Sequence, residues 1–260
     1  MTKTSLWLLL AAIVMATMRT PTACRGVEPD GRTEETRRVD ADVVAEERRG
    51  DREALAALLA QRGIRDQRVL DAIGKVPRHR FVGQAEREAA YEDRALPIAA
   101  RQTISQPYIV AYMTELLELG GDEHVLEVGT GSGYQAAVLA EVAERVYSVE
   151  IIAELSKGAA GVLEEAGYEN IELRVGDGYA GWPELAPFDA IIVTAAASRV
   201  PEPLIDQLAP GGRLVLPLES LADMQWIWIV EKDDAGVVTR RRTIPVRFVQ
   251  MTGDVNDPQP

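Results

Sequence analysis

An apolar run that ends in three glycines at alternate positions constrains this chain more than any other feature. It reads His124-Val125-Leu126-Glu127-Val128-Gly129-Thr130-Gly131-Ser132-Gly133, and a helix-compatible stretch, 134–143, follows directly. The pattern predicts a strand, a tight turn and a helix start, where bare backbone can approach a ligand with no Cβ in the way. Glu150 closes the next apolar run, Val146-Tyr147-Ser148-Val149. Its carboxylate is expected at the tip of the neighbouring parallel strand, placed to take both hydroxyls of a ribose. A nucleoside-containing cofactor is implied.

Spacing narrows the choice. The dinucleotide fingerprint is G-x-G-x-x-G with a pyrophosphate on the helix N-terminus. Here the glycines run G-x-G-x-G, and Glu127 stands two residues ahead of Gly129. A carboxylate beside the loop repels a pyrophosphate but suits a ligand carrying an ammonium and a sulfonium. That favours S-adenosyl-L-methionine over NAD, and Gly176-Asp177-Gly178 supplies a further turn of the kind such a site needs. A glycine-rich turn alone would only pack a helix against a strand.

The chain has 260 residues, 47% of them hydrophobic, enough for one full α/β core with little left for a second. A net charge of −13 argues against nucleic acid as a partner, and Arg240-Arg241-Arg242 is expected to be a solvated strand face. One cysteine and two histidines exclude a disulfide framework and argue against a metal site. His79 is expected to be a structural hydrogen bonder, and His124 a strand-boundary residue.

The N-terminus differs in kind. Lys3 precedes an apolar run, 6–18, too short to span a bilayer, and Pro21-Thr22-Ala23 brings small residues up to Cys24. The expectation is a signal segment over 1–23, with a lipid anchor at Cys24 and a charged tether over 24–50. The alternative is a start codon placed too far upstream. The folded domain is expected over 51–253, followed by a short tail at 254–260.

Helical periodicity starts near Asp51, with Leu55, Leu58 and Leu59 on one face; Asp66 caps a second helix carrying Val69, Leu70 and Ile73. Residues 81–106 read as loop, and Pro107 opens a third helix. Runs at 125–128, 146–149, 171–175, 190–194 and 213–216 then read as buried parallel strands, with helices at 134–143, 153–166 and 203–208 between them. A hairpin follows, built from Trp226-Ile227-Trp228-Ile229-Val230, a turn at 233–236 and Val237-Val238, and 246–249 reads as a last strand.

With these elements placed, the sequence resembles the protein-L-isoaspartate O-methyltransferases over nearly everything from Arg62 to Gly253. The segments that carry it are Arg62-Gly63-Ile64-Arg65-Asp66, Val76-Pro77-Arg78-His79-Arg80-Phe81-Val82 and Gln102-Thr103-Ile104-Ser105-Gln106-Pro107-Tyr108. The glycine turn, Gly176-Asp177-Gly178-Tyr179-Ala180-Gly181-Trp182-Pro183, residues 189–197 and Val246-Arg247-Phe248-Val249 extend it. The turn is common to many methyltransferases; Thr103-Ile104-Ser105-Gln106-Pro107 and the Val-Arg-Phe-Val segment are family-specific.

The resemblance implies an α/β, Rossmann-like class I S-adenosylmethionine-dependent methyltransferase sheet, preceded by a helical segment and extended by a C-terminal β-hairpin. It implies methyl transfer to the free α-carboxylate of L-isoaspartyl residues in damaged proteins or peptides; the alternatives are a small carboxylate metabolite as acceptor, or a cofactor-binding homologue without turnover, and a monomer is expected. Ser105 is the implied catalytic residue. Glu127, Gly129, Thr130, Gly131, Gly133, Glu150, Asp177 and Gly178 would meet the cofactor; Thr103, Ile104, Thr194 and Arg247 would meet the acceptor. Read without the resemblance, Ser105 is a helix-capping turn residue and Arg247 a surface arginine. Trp182 and Trp226 read as core and edge packing. Two departures stand out: Ala99-Ala100-Arg101 and Pro217-Leu218-Glu219-Ser220 replace segments where the family has glycines. The cofactor is a cytosolic metabolite, which sets a cytoplasmic location against the periplasmic or membrane-anchored one implied by the N-terminus.

Overall fold

The computed structural model describes residues 47–219 and 224–253. The expected signal segment, Cys24, nearly all of the tether and the whole 254–260 tail lie outside them.

Two helices open the domain, α1 (Arg49–Gln61) and α2 (Gln67–Lys75). Leu55, Leu59 and Arg52 bury one face of α1, whereas Leu58 is 41% exposed. At 100° per residue those three positions span a narrow arc, and Leu58 falls outside it. Asp66 caps α2 as expected, accepting from the Arg68 amide at 2.9 Å.

The stretch read as loop contains a small antiparallel pair, β1 (Leu96–Pro97) and β2 (Thr103–Ile104). Its tip, Ala99-Ala100-Arg101, holds Ala100 and Arg101 at φ of 53° and 58°, the left-handed region that glycine would adopt without strain. α3 (Pro107–Leu116) begins on Pro107, with Gln106 as its N-cap and no side-chain cap there. The capping reading of Ser105 therefore fails. Asp93 does that work from fifteen residues upstream, its carboxylate accepting from the Tyr108 amide at 2.8 Å.

The rest builds one seven-stranded sheet. In chain order come β3 (His124–Val128), α4 (Tyr134–Ala140), β4 (Arg145–Glu150), α5 (Ala153–Glu165), β5 (Ile171–Val175), β6 (Phe188–Val193), α6 (Glu202–Asp206), β7 (Leu208–Glu219), β8 (Gln225–Lys232) and β9 (Val238–Val246). The strand order is β5-β4-β3-β6-β7-β8-β9. β3 to β7 pair in parallel, and β8 and β9 are antiparallel additions. The central strands are apolar on both faces, Val125, Leu126, Ile191, Ile192, Leu214 and Val215 being fully buried, because helices cover both sides. The chain moves outward from β3 through β4 to β5, then returns to place β6 on the other side of β3. The reversal opens a crevice at the carboxyl ends of β3 and β6.

Several boundaries differ from expectation: the helix read at 203–208 spans Glu202–Asp206, with Leu208 already in β7, and the second hairpin arm runs on to Val246. α4 stops at Ala140, and β7 is longer than expected, taking in Pro217, Leu218 and Glu219 as partners of β8. The last strand read at 246–249 does not form: β9 ends at Val246 and 247–249 are not in a strand. Beyond it the Gln225 side chain bonds both the amide and the carbonyl of Phe248, taking the place of a neighbouring strand. The chain then leaves the sheet and crosses the end of β6, where Ala196 donates to Val249 and Met251 donates back to Ala196, both at 2.8 Å. The three arginines Arg240-Arg241-Arg242 are exposed along β9, the edge strand, on both of its faces.

Candidate active site

A cleft of about 810 Å³, open to solvent, lies at the crevice. Its floor is the glycine turn. The Gly129 amide donates to Val149 at 2.8 Å and the Thr194 amide to Val128 at 2.9 Å, so the turn is clamped between β4 and β6. The Thr194 hydroxyl closes the clamp by donating to the Gly129 carbonyl at 2.6 Å. Gly129 sits at φ +98°, and a Cβ there would lie 2.5 Å from that hydroxyl oxygen, so only glycine fits.

Glu150 ends β4 in the cleft wall, 5% exposed. One carboxylate oxygen accepts from the Gly131 amide at 2.8 Å and the other from the Ile152 amide at 2.9 Å. Each oxygen keeps a second lone pair, which suits a pair of vicinal hydroxyls. Ile151, an apolar side chain 41% exposed, stands beside it in the wall. Gly178 lines the same end; a Cβ there would come within 2.3 Å of the Val128 side chain.

The opposite wall is Gln102, Thr103, Ile104 and Ser105. Among the described residues, nothing hydrogen-bonds the Ser105 hydroxyl. Its carbonyl accepts from the Arg78 guanidinium at 2.9 Å. Val249, Gln250, Met251 and Thr252 close one side, brought there by the departure of the chain from β9.

Nine of the thirteen expected site residues thus meet in one cleft: Ser105, Thr103, Ile104, Gly129, Thr130, Gly131, Glu150, Gly178 and Thr194. Four stand outside its lining. Glu127 is fully buried in β3, behind the turn, with one oxygen accepting from Ser148 and the other unpartnered. Ser148 in turn shares a hydrogen bond of 2.6 Å with the Thr130 hydroxyl. Burial, assisted by the charge of Glu150, pushes the Glu127 carboxyl up to about 8, so it is largely neutral at pH 7. Gly133 packs against Ala159 and Leu163 of α5. The Asp177 carboxylate caps a single 3-10 turn, accepting from the Tyr179 amide at 2.9 Å. Arg247 is exposed on the irregular segment after β9.

Sequence reasoning missed Ile151, Gln102, Gln135 and the 250–252 segment. Only Gln102 carried a local signal, its place beside Thr103-Ile104-Ser105. His79 is a structural hydrogen bonder as expected, between Tyr91 at 2.7 Å and Glu47 at 3.1 Å. Trp182 is buried against Tyr147, and Trp226 lies under Arg242 at the sheet edge. Among the described residues, no cluster of ligating side chains could hold a metal ion.

The model of the protein-L-isoaspartate(D-aspartate) O-methyltransferase family matches residues 50–256, well over half the chain. This chain belongs to that family. Relatives include protein-L-isoaspartate O-methyltransferase 2 of Syntrophobacter fumaroxidans, 56% identical over 188 residues, which cover 72% of this chain and 76% of that protein. The protein-L-isoaspartate O-methyltransferase of Gloeobacter violaceus is 55% identical over 194 residues, covering 75% of this chain and 94% of that one. Among solved structures, a protein-L-isoaspartate O-methyltransferase superposes with a TM-score of 0.73 at 32% identity, covering 78% of this chain and 67% of that chain. A Plasmodium falciparum protein assigned to the same activity, solved with S-adenosyl-L-homocysteine, gives 0.67 at 26% identity, covering 77% of this chain and 98% of that one. The family's Rossmann-like methyltransferase fold is the one described above.

Proposed function

We propose that this chain repairs damaged proteins by transferring a methyl group from S-adenosyl-L-methionine to the α-carboxylate of L-isoaspartyl residues. Family membership supports the reaction, and the two-walled cleft supports the assignment of roles. One wall offers bare backbone and a carboxylate; the other offers a serine hydroxyl with no hydrogen-bond partner among the described residues.

The residues fit the cofactor. Glu150 would hold the ribose hydroxyls, Ile151 and Gly178 would flank the adenine, and Gly129, Thr130 and Gly131 would admit the methionine portion. When bound, the cofactor supplies a methyl group activated by a sulfonium. The acceptor carboxylate is already ionised at neutral pH, so the protein needs no strong base. Its task is to align the acceptor in line and at near-contact distance, and to exclude water. Ser105 donates a hydrogen bond to the acceptor carboxylate and orients it, while Thr103 and Ile104 border the peptide. Thr194 acts through the turn it clamps, Glu127, Gly133 and Asp177 support the site from behind, and Arg247 orients peptide at the rim.

The decisive assay compares paired peptides that differ only in Asp or isoAsp linkage. Methyl transfer confined to the isoAsp member is the expected result; transfer to neither, with cofactor binding intact, would leave a binding protein without turnover.

For location, Lys3, the 6–18 run and Ala23-Cys24 support export with lipid on Cys24, the chain acting as a monomer. Among the described residues no helix is long and apolar enough to cross a membrane. Mass spectrometry of the mature N-terminus from the native host tests this, and an unmodified chain starting beyond Cys24 would refute it.

A further inference from the structure

Arg78 lies just after α2 and is fully buried, yet no carboxylate answers its charge among the described residues. Its partners are main-chain carbonyls from separate points of the chain. Nε donates to Ala90 at 2.8 Å, and Nη2 donates to Ser105 at 2.9 Å and, at 3.4 Å, to Arg94. The guanidinium also lies 4.7 Å from the centre of the Tyr134 ring, and Nη1 is buried without a hydrogen-bond partner. Burial lowers its pKa to about 10, so it stays charged at neutral pH.

A buried, unpaired cation is costly, and a packed apolar side chain would avoid that cost. What an apolar side chain cannot do is hold several carbonyls at fixed angles, which the planar guanidinium fork does. The segment it holds is anchored in the core by Ala90, Leu96 and Ile104 and at Asp93 by the Tyr108 amide, but it has little regular structure: β1 and β2 are two residues each, and 3-10 turns precede them. Tyr134, by contrast, opens α4 directly after the glycine turn and lines the cleft. One side chain therefore touches both walls.

We propose that Arg78 is a positioning residue for methyl transfer, its guanidinium fixing the main chain at Ser105 against Tyr134 and so setting the distance between acceptor and cofactor walls. The proposal rests on the reading of Ser105 as the acceptor contact.

The test uses Arg78→Lys, Ser105→Ala and the double variant in the full chain. Arg78→Lys is expected to bind cofactor within about twofold of the unaltered enzyme. Its kcat on isoaspartyl peptide should fall by up to about tenfold, the loss expected when the Ser105 contact itself is removed, with a smaller change in KM. In the Ser105→Ala background the same replacement should change kcat by less than about twofold, because its target is already gone. Unchanged kcat in Arg78→Lys, or loss of cofactor affinity equal to the loss of kcat, overturns the proposal. So does a double variant whose loss is the product of the single losses while Ser105→Ala is itself impaired. Failure of the underlying reading looks different: Ser105→Ala then turns over at the unaltered rate. Should Arg78→Lys fail to fold, NMR of the unaltered enzyme decides. A through-hydrogen-bond correlation between the Arg78 guanidinium and the Ser105 carbonyl is expected, and its absence overturns the proposal.

Discussion

The two walls of the cleft are built by different means. The cofactor wall is an extension of the sheet: the glycine turn is hydrogen-bonded to the ends of β4 and β6, and Glu150 is the last residue of β4. The acceptor wall is a short hairpin and turns, held from outside by Arg78 and Asp93 and carrying two non-glycine residues in left-handed conformations. A parallel sheet places backbone the same way whatever chemistry follows, so its wall can serve any acceptor. On the proposed roles, specificity falls to a segment whose geometry depends on a few side chains, and such a segment can be retuned without touching the sheet.

Perturbing the cofactor wall should have the largest effect. Gly129→Val sets a β-branched residue at φ +98° against Thr194 and is expected to cost on the order of 3 kcal/mol of stability and to abolish cofactor binding. Thermal unfolding and calorimetry measure both, and a stable, cofactor-binding variant would show that the clamp is looser than described.

Glu150→Ala should weaken cofactor binding by about 1.5–3 kcal/mol, the range for hydrogen bonds to a charged group. At saturating cofactor, peptide turnover should largely return. Unchanged affinity by calorimetry would remove Glu150 from the site.

On the acceptor wall, Ser105→Ala should lower kcat roughly tenfold through loss of one hydrogen bond to a charged acceptor, with cofactor affinity unaltered. A parallel loss of cofactor affinity would break the division between the walls.

Glu127 tests the cofactor wall from behind. Its folded value of about 8 lies above the ordinary 4.5, so the folded state holds an extra proton between those limits. Stability therefore falls as pH rises from about 4.5 to about 8. Glu127→Gln copies the neutral form and should flatten that slope while leaving cofactor affinity nearly intact. Denaturant unfolding across this window, with an unchanged slope in the variant, would show Glu127 to be ionised.

The smallest effect belongs to the hairpin tip. Glycine at Ala100 or Arg101 relieves about 1–2 kcal/mol of left-handed strain but gives most of it back in unfolded-state entropy. A net gain near 0.5 kcal/mol at each position is expected in thermal unfolding, with turnover altered more than cofactor binding.

The alternation of apolar runs and helical stretches, the glycine turn and Glu150 were legible in the chain because each depends on local pattern and on one parallel sheet. The resemblance carried Ser105, Thr103 and Ile104 as well. What the tertiary structure alone decided was which groups face the cleft. Glu127 and Gly133 flank residues that line it, yet alternation along β3 turns one side chain into the core and the close approach of α5 occupies the other. Ile151 and Met251 enter the wall because β4 stops beside the turn and the chain after β9 is pulled across Ala196. Arg78 and Asp93 reach their partners across 27 and 15 residues. Contacts of that kind follow from where the folded chain brings distant segments together, and no periodicity in the sequence encodes them.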